Sequence, residues 1–216
     1  MHPRINSFPP PRVHVAYRLP VLAAVFVFAL AACGDSAKLA RLPDSAVVLA
    51  FGDSLTFGTG ANEAESYPAQ LETLIGRRVV RAGVPGEVTA QALERLPAAL
   101  DEYTPRLLIL CIGGNDFLRR LGNAQAERNV RAMVQLAKSR GVDVFLIGTP
   151  EPALLPSPPA FYETVAKDLR VPYEGGVITQ VLKDTNLKSD PIHPNARGYR
   201  VIAERVAERL KKAGAI

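Results

Sequence analysis

Beyond residue 32 the chain holds one histidine, His193, within Ser189-Asp190-Pro191-Ile192-His193-Pro194-Asn195. A single histidine cannot build a histidine-rich metal centre, so zinc chemistry has little support. It is enough to serve a serine nucleophile when a carboxylate orients its ring. Asp190 lies three residues upstream. In a turn, that spacing lets the carboxylate reach Nδ1 while Nε2 faces outward. Taken alone, the segment reads equally well as an exposed loop histidine beside a helix cap. Ser54 is ambiguous in the same way, because a serine after a strand and a glycine is often only a turn or N-cap residue. Its flanks, Gly52-Asp53-Ser54-Leu55-Thr56, put threonine where the G-x-S-x-G elbow has its second glycine. That disfavours an α/β-hydrolase in the strict sense.

Positioning these groups is the task of alternating strands and helices. Ala46–Phe51 and Arg106–Ile112 are continuous apolar runs with the pattern of buried strands. Arg78–Arg81, Val142–Gly148 and Val171–Tyr173 are further strand candidates. Helical patterns cover 66–75, 89–100 (interrupted at Pro97), 124–140, 159–169, 177–185 and 195–212. A loop with five prolines spans 150–159. Strands apolar on both faces, each followed by a helix, predict an α/β fold: a three-layer α/β/α sandwich with a parallel, flavodoxin-like sheet of about five strands. In such sheets ligands sit beyond the carboxyl ends of the strands. Gly52-Asp53-Ser54, the turn around Gly86 and Gly113-Gly114-Asn115-Asp116 each follow a strand, so the topology gathers them at one edge.

Gly52-Asp53-Ser54-Leu55, Gly86, Gly113-Gly114-Asn115-Asp116 and Asp190-Pro191-Ile192-His193 resemble, in order and separation, the four blocks of the GDSL, or SGNH, hydrolase family. The resemblance runs from about Ala46 to Leu210. It is nearest to the small bacterial lysophospholipase, thioesterase and arylesterase branch, whose second block is matched by Arg81-Ala82-Gly83-Val84-Pro85-Gly86-Glu87. It implies Ser54 as nucleophile, His193 as general base and then acid, and Asp190 as the orienting carboxylate. It also implies an oxyanion hole made of the Ser54 and Gly86 amides and the Asn115 side chain. No cofactor or metal is implied. Arg81 departs from the branch, which often has asparagine there. Asp53 and Asp116 read as structural, and Cys111 as core. Phe57, Phe117 and Leu118, with the proline loop, are candidate walls of an acyl pocket.

The expected reaction is cleavage of carboxylic esters: lysophospholipid, fatty-acyl or aryl/alkyl esters, and thioesters. Two other readings are a carbohydrate O-acetylesterase of the cell envelope and a non-catalytic acyl-binding lipoprotein. An intact set of Ser54, Gly86, Asn115, Asp190 and His193 argues against the last.

Leu19–Ala32 is almost continuously apolar, follows a basic proline-rich start and ends at Cys33. It is too short to span a bilayer comfortably. Leu30-Ala31-Ala32-Cys33 resembles the lipobox of bacterial lipoprotein signals, which implies lipid attachment at Cys33. The domains expected are a signal peptide at 1–32, a tether at 33–45 and the hydrolase domain at 46–216. Gly34 favours the outer membrane, periplasmic face. The formal charge of +5 owes much to Arg4, Arg12 and Arg18; past residue 32 there are 23 basic and 21 acidic side chains. With no basic stripe and no tryptophan, nucleic-acid binding has little support. The expected partners are a small-molecule or lipid ester and a membrane, with the protein a monomer.

Overall fold

The computed structural model describes Met1 and residues 37–153 and 156–216. The apolar run ending at Cys33, and Cys33 itself, lie outside the described residues. Strands β1 (Val47–Gly52), β2 (Arg78–Gly83), β3 (Leu107–Cys111), β4 (Asp143–Ile147) and β5 (Tyr173–Glu174) form one parallel sheet in the order β2-β1-β3-β4-β5. This is the flavodoxin-like order, with its switch point between β1 and β3.

Alternation along each strand sends side chains to two separate cores. Val48, Ala50, Leu107, Ile109, Phe145 and Ile147 face one layer, made by α2 (Tyr67–Ile75), α7 (Val177–Lys183) and α8 (Ala196–Ala213). Leu49, Phe51, Leu108, Leu110 and Leu146 face the other, made by α3 (Thr89–Tyr103), α5 (Asn123–Ser139) and α6 (Phe161–Leu169). Both faces being covered is why these strands are apolar runs rather than alternating ones. Cys111 is a free thiol wholly buried in the first core, and burial raises its pKa. Its role is packing.

The α/β/α architecture is as the pattern predicts, and the elements differ in three places. Helix α3 runs through Pro97 without a break. Ala92, Leu96, Ala99 and Leu100 are buried on both sides of the proline, and this packing outweighs the lost hydrogen bond. Two one-turn helices, α1 (Ser54–Phe57) and α4 (Gly114–Leu118), stand where only turns were legible. Finally, residues 37–45 are not a free tether. Leu42 is buried, the Leu39 and Leu42 amides donate to Ala213 and Ala215, and the Ala40 amide donates to Asp143. These contacts place the segment at the amino edge of the sheet, opposite the site.

Candidate active site

The chain must turn sharply out of β1 to start α1, and Gly52 permits it. A Cβ there would lie 1.8 Å from the Cys111 carbonyl oxygen on β3, so only glycine lets the strands stay in register. Asp53 caps α1, its Oδ1 accepting from the Leu55 amide at 3.0 Å. Ser54 is then the first helical residue, at the carboxyl end of β1.

His193 arrives from the segment before α8, a helix capped by Asn195 through the Gly198 amide. The His193 Nε2 is 3.0 Å from Ser54 Oγ, and its Nδ1 is 2.8 Å from Asp190 Oδ2. The other oxygen of Asp190 accepts from the backbone amides of Ile192 and His193, each at 2.8 Å. Partial desolvation works to raise the Asp190 pKa. The hydrogen bonds from the His193 ring and the two amides outweigh it and hold the carboxyl below its ordinary value. An ionised Asp190 requires the proton on Nδ1, leaving Nε2 free to accept from the Ser54 hydroxyl.

Gly86 follows β2 in a left-handed conformation (φ +80°). Space does not demand glycine here, since the nearest protein atom to a Cβ at this position would be the Arg119 Nη2, 3.6 Å away. The backbone angle is the reason. Two bonds fix this turn to α4: Arg119 Nη2 donates to the Gly86 carbonyl at 2.8 Å, and Asn115 Nδ2 donates to the Glu87 carbonyl at 3.0 Å. Among the described residues the second hydrogen on Asn115 Nδ2 has no acceptor. Among the described residues, neither the Ser54 nor the Gly86 amide donates to a protein acceptor. Three donors therefore remain unspent around the serine.

A cleft of about 490 Å³ opens over Ser54, Asn115 and His193. Leu118, Pro150, Pro152, Ala153 and Pro156 line part of it; Leu182, Lys183, Lys188, Pro191 and Ile192 also line it. The proline loop thus takes the place expected for it. Of the three candidate wall residues only Leu118 lines the cleft. Phe117 is buried against Phe161 and Tyr162, and Phe57 is exposed beneath the Arg81 guanidinium, 4.6 Å from its ring centroid.

The supporting groups are Asp116 and Asp53, which the sequence reads as structural, and a Glu87–Arg95 pair that sequence reasoning missed. Asp116 accepts from the Thr89 amide (2.8 Å) and hydroxyl (2.6 Å), locking α4 to the start of α3. Glu87, nearly buried, pairs through both oxygens with Arg95 at 2.7 and 2.6 Å. The Arg95 guanidinium stacks 3.9 Å over Phe51. The only sequence signal for that pair is two charges eight residues apart in a segment otherwise rich in apolar residues. Asp53 is 2% exposed, and burial pushes its pKa up to about 7, with Glu87 and Asp116 adding to the effect. Among the described residues no cluster of three metal-ligating side chains is present.

The profile of the GDSL-like Lipase/Acylhydrolase family matches residues 50–201, most of the chain. The chain belongs to that family. It is similar to thioesterase 1/protease 1/lysophospholipase L1 of Escherichia coli K12, with 30% identity over 90% of this chain and 92% of the relative. Among solved structures it resembles TesA (29% identity, TM-score 0.70, 77% of this chain and 99% of that one). It also resembles AlinE4, an SGNH-hydrolase family esterase (32% identity, TM-score 0.63, 80% and 98%). The protein is thus an esterase-type hydrolase of the GDSL/SGNH family. Both solved relatives are matched over nearly their whole length by about four-fifths of this chain, and residues 37–216 form one compact unit.

Proposed function

We propose that the protein hydrolyses carboxylic esters and thioesters of apolar acids through an acyl-enzyme on Ser54. The observation that carries this reading is the continuous relay Ser54 Oγ–His193 Nε2 (3.0 Å)–His193 Nδ1–Asp190 Oδ2 (2.8 Å). His193 takes the Ser54 proton as Oγ attacks the carbonyl carbon. Asp190 stabilises the imidazolium so formed. The oxyanion draws on the Ser54 and Gly86 amides and the free Asn115 hydrogen. His193 then returns the proton to the departing alcohol or thiol, leaving the acyl group on Ser54. A water, deprotonated by the same ring, completes the cycle. The apolar cleft wall supports an acyl group longer than acetyl. Lysophospholipids, fatty-acyl esters and aryl or alkyl esters are the substrate classes that fit it.

The envelope location is a second part of the proposal. A lipid on Cys33 would anchor the domain at the outer membrane, facing the periplasm. Several acyl chains bury enough methylene groups for stable attachment. Fatty-acid label incorporated into the full chain in a bacterial host, and absent from Cys33→Ser, would support it; equal labelling would refute it.

The test of the activity is hydrolysis of nitrophenyl esters from acetyl to palmitoyl by residues 37–216, with Ser54→Ala alongside. The expected result is an optimum beyond acetyl and loss of turnover in the variant. An acetyl optimum would instead favour a carbohydrate O-acetylesterase. Absence of turnover on every ester would favour an acyl-binding lipoprotein.

A further inference from the structure

Apart from Met1, six large apolar side chains are exposed among the described residues, and five of them crowd the edge that carries the active site. Phe57 ends α1 beyond β1, Val84 follows β2, Leu118 and Leu121 end and follow α4 beyond β3, and Ile192 adjoins His193. The sixth, Leu74, stands alone on α2. Substrate contact does not account for the group. Leu118 and Ile192 line the cleft, but Phe57, Val84 and Leu121 do not.

Cations are interspersed among these apolar side chains. Arg119 and Arg120 sit between Leu118 and Leu121, and Lys183 and Lys188 stand at the cleft lip. None of these four forms an ion pair with a described residue. Of the acids nearby, Glu63 pairs with Arg81 and Asp190 with His193, while Glu151 and Asp184 bond to the neutral Asn123 and Asn186 and keep their charge, leaving four unpaired cations beside two such carboxylates. Exposed apolar side chains gathered in one region and interspersed with cations mark an interaction or membrane surface. Unpaired cations close to an anionic leaflet each add to its attraction.

We propose that the rim of the cleft, formed by Phe57, Val84, Leu118, Leu121 and Ile192 with Arg119, Arg120, Lys183 and Lys188, docks onto an anionic phospholipid surface. Docking brings the cleft mouth against the lipid, so an ester could enter without crossing bulk water. Residues 37–42 pack at the opposite edge of the sheet, so a domain held by a lipid on Cys33 would present this rim to a lipid surface other than the one that anchors it. Docking is independent of the acyl-enzyme chemistry.

The test is sedimentation of residues 37–216 with vesicles of phosphatidylglycerol or of phosphatidylcholine, in a Ser54→Ala background so that lipid is not consumed. Binding is expected to phosphatidylglycerol, at least about tenfold above phosphatidylcholine and weakening with salt. Val84→Asp with Leu121→Asp should lower it at least about tenfold. Arg120→Gln alone should lower it about fivefold, the partitioning that one cation near such a surface typically supplies. With Ser54 restored, the same variants should turn over soluble nitrophenyl acetate within about twofold of the parent, which establishes that they fold. Absence of vesicle binding, equal binding to both lipids, or binding unchanged in the double variant would overturn the proposal.

Discussion

Asp53→Asn tests how the nucleophile turn is held. Asp53 is buried, adjoins Ser54 and has its pKa pushed up to about 7 from an ordinary 3.8. The folded state therefore binds a proton that the unfolded chain has already released between these values. A raised folded-state pKa gives stability that is fully present below the unfolded pKa and lost as pH rises through the folded one. Between pH 5 and pH 8 the span below about 7 is two units, so this carboxyl costs roughly 3 kcal/mol of stability over that rise. Asparagine keeps an acceptor for the Leu55 amide but carries no titrating proton. Its extra NH₂ needs a partner and costs about 1–3 kcal/mol at every pH if it finds none. Only the pH-dependent part reports on the Asp53 proton. Urea unfolding of residues 37–216 at pH 5 and pH 8 should show the variant gaining about 3 kcal/mol relative to the parent on the alkaline side. A difference between the two proteins that does not change with pH would refute the assignment of a protonated, buried Asp53.

Three further substitutions probe the site. Asn115→Ala removes the bond to the Glu87 carbonyl and the hydrogen proposed as an oxyanion donor; kcat for a nitrophenyl ester should fall about 10²- to 10³-fold. Gly86→Ala must place a Cβ at φ +80°, which should cost about 1–2 kcal/mol in chemical unfolding and lower kcat with it. Arg95→Met leaves Glu87 almost buried without its cation. It should lower stability by roughly 2–4 kcal/mol, the lower part of this range reflecting Arg95's partial exposure.

The sheet was legible because its strands are covered on both faces: RLLILCI and VDVFLIG can hardly be anything but buried strands. Their parallel pairing, with helices on both faces, followed from the αβ alternation. The triad was legible for a different reason. Taken alone, His193 with Asp190 three residues before it, and Ser54 after its glycine, read equally well as turn and cap residues; the resemblance of the four blocks, in order, is what joined them. The short helices α1 and α4 were not legible, since four or five residues carry no period. Pro97 misled because local propensity yields to a helix face packed on both sides of it. The mutual bracing of the Gly86 turn and α4, through Arg119 and Asn115, depends on contacts 28 and 33 residues apart, which no spacing rule anticipates. The same holds for residues 37–45, whose short polar-flanked sequence resembles a linker until Ala213 and Ala215 are seen to receive its amides.

The central claim is that Ser54 is the nucleophile activated by His193. Its most direct test is mass spectrometry of residues 37–216 after reaction with a fluorophosphonate. A single adduct on Ser54 is expected, formed at least about a hundredfold more slowly in His193→Ala. An adduct on another serine, or no adduct under conditions where the protein hydrolyses an ester, would contradict it.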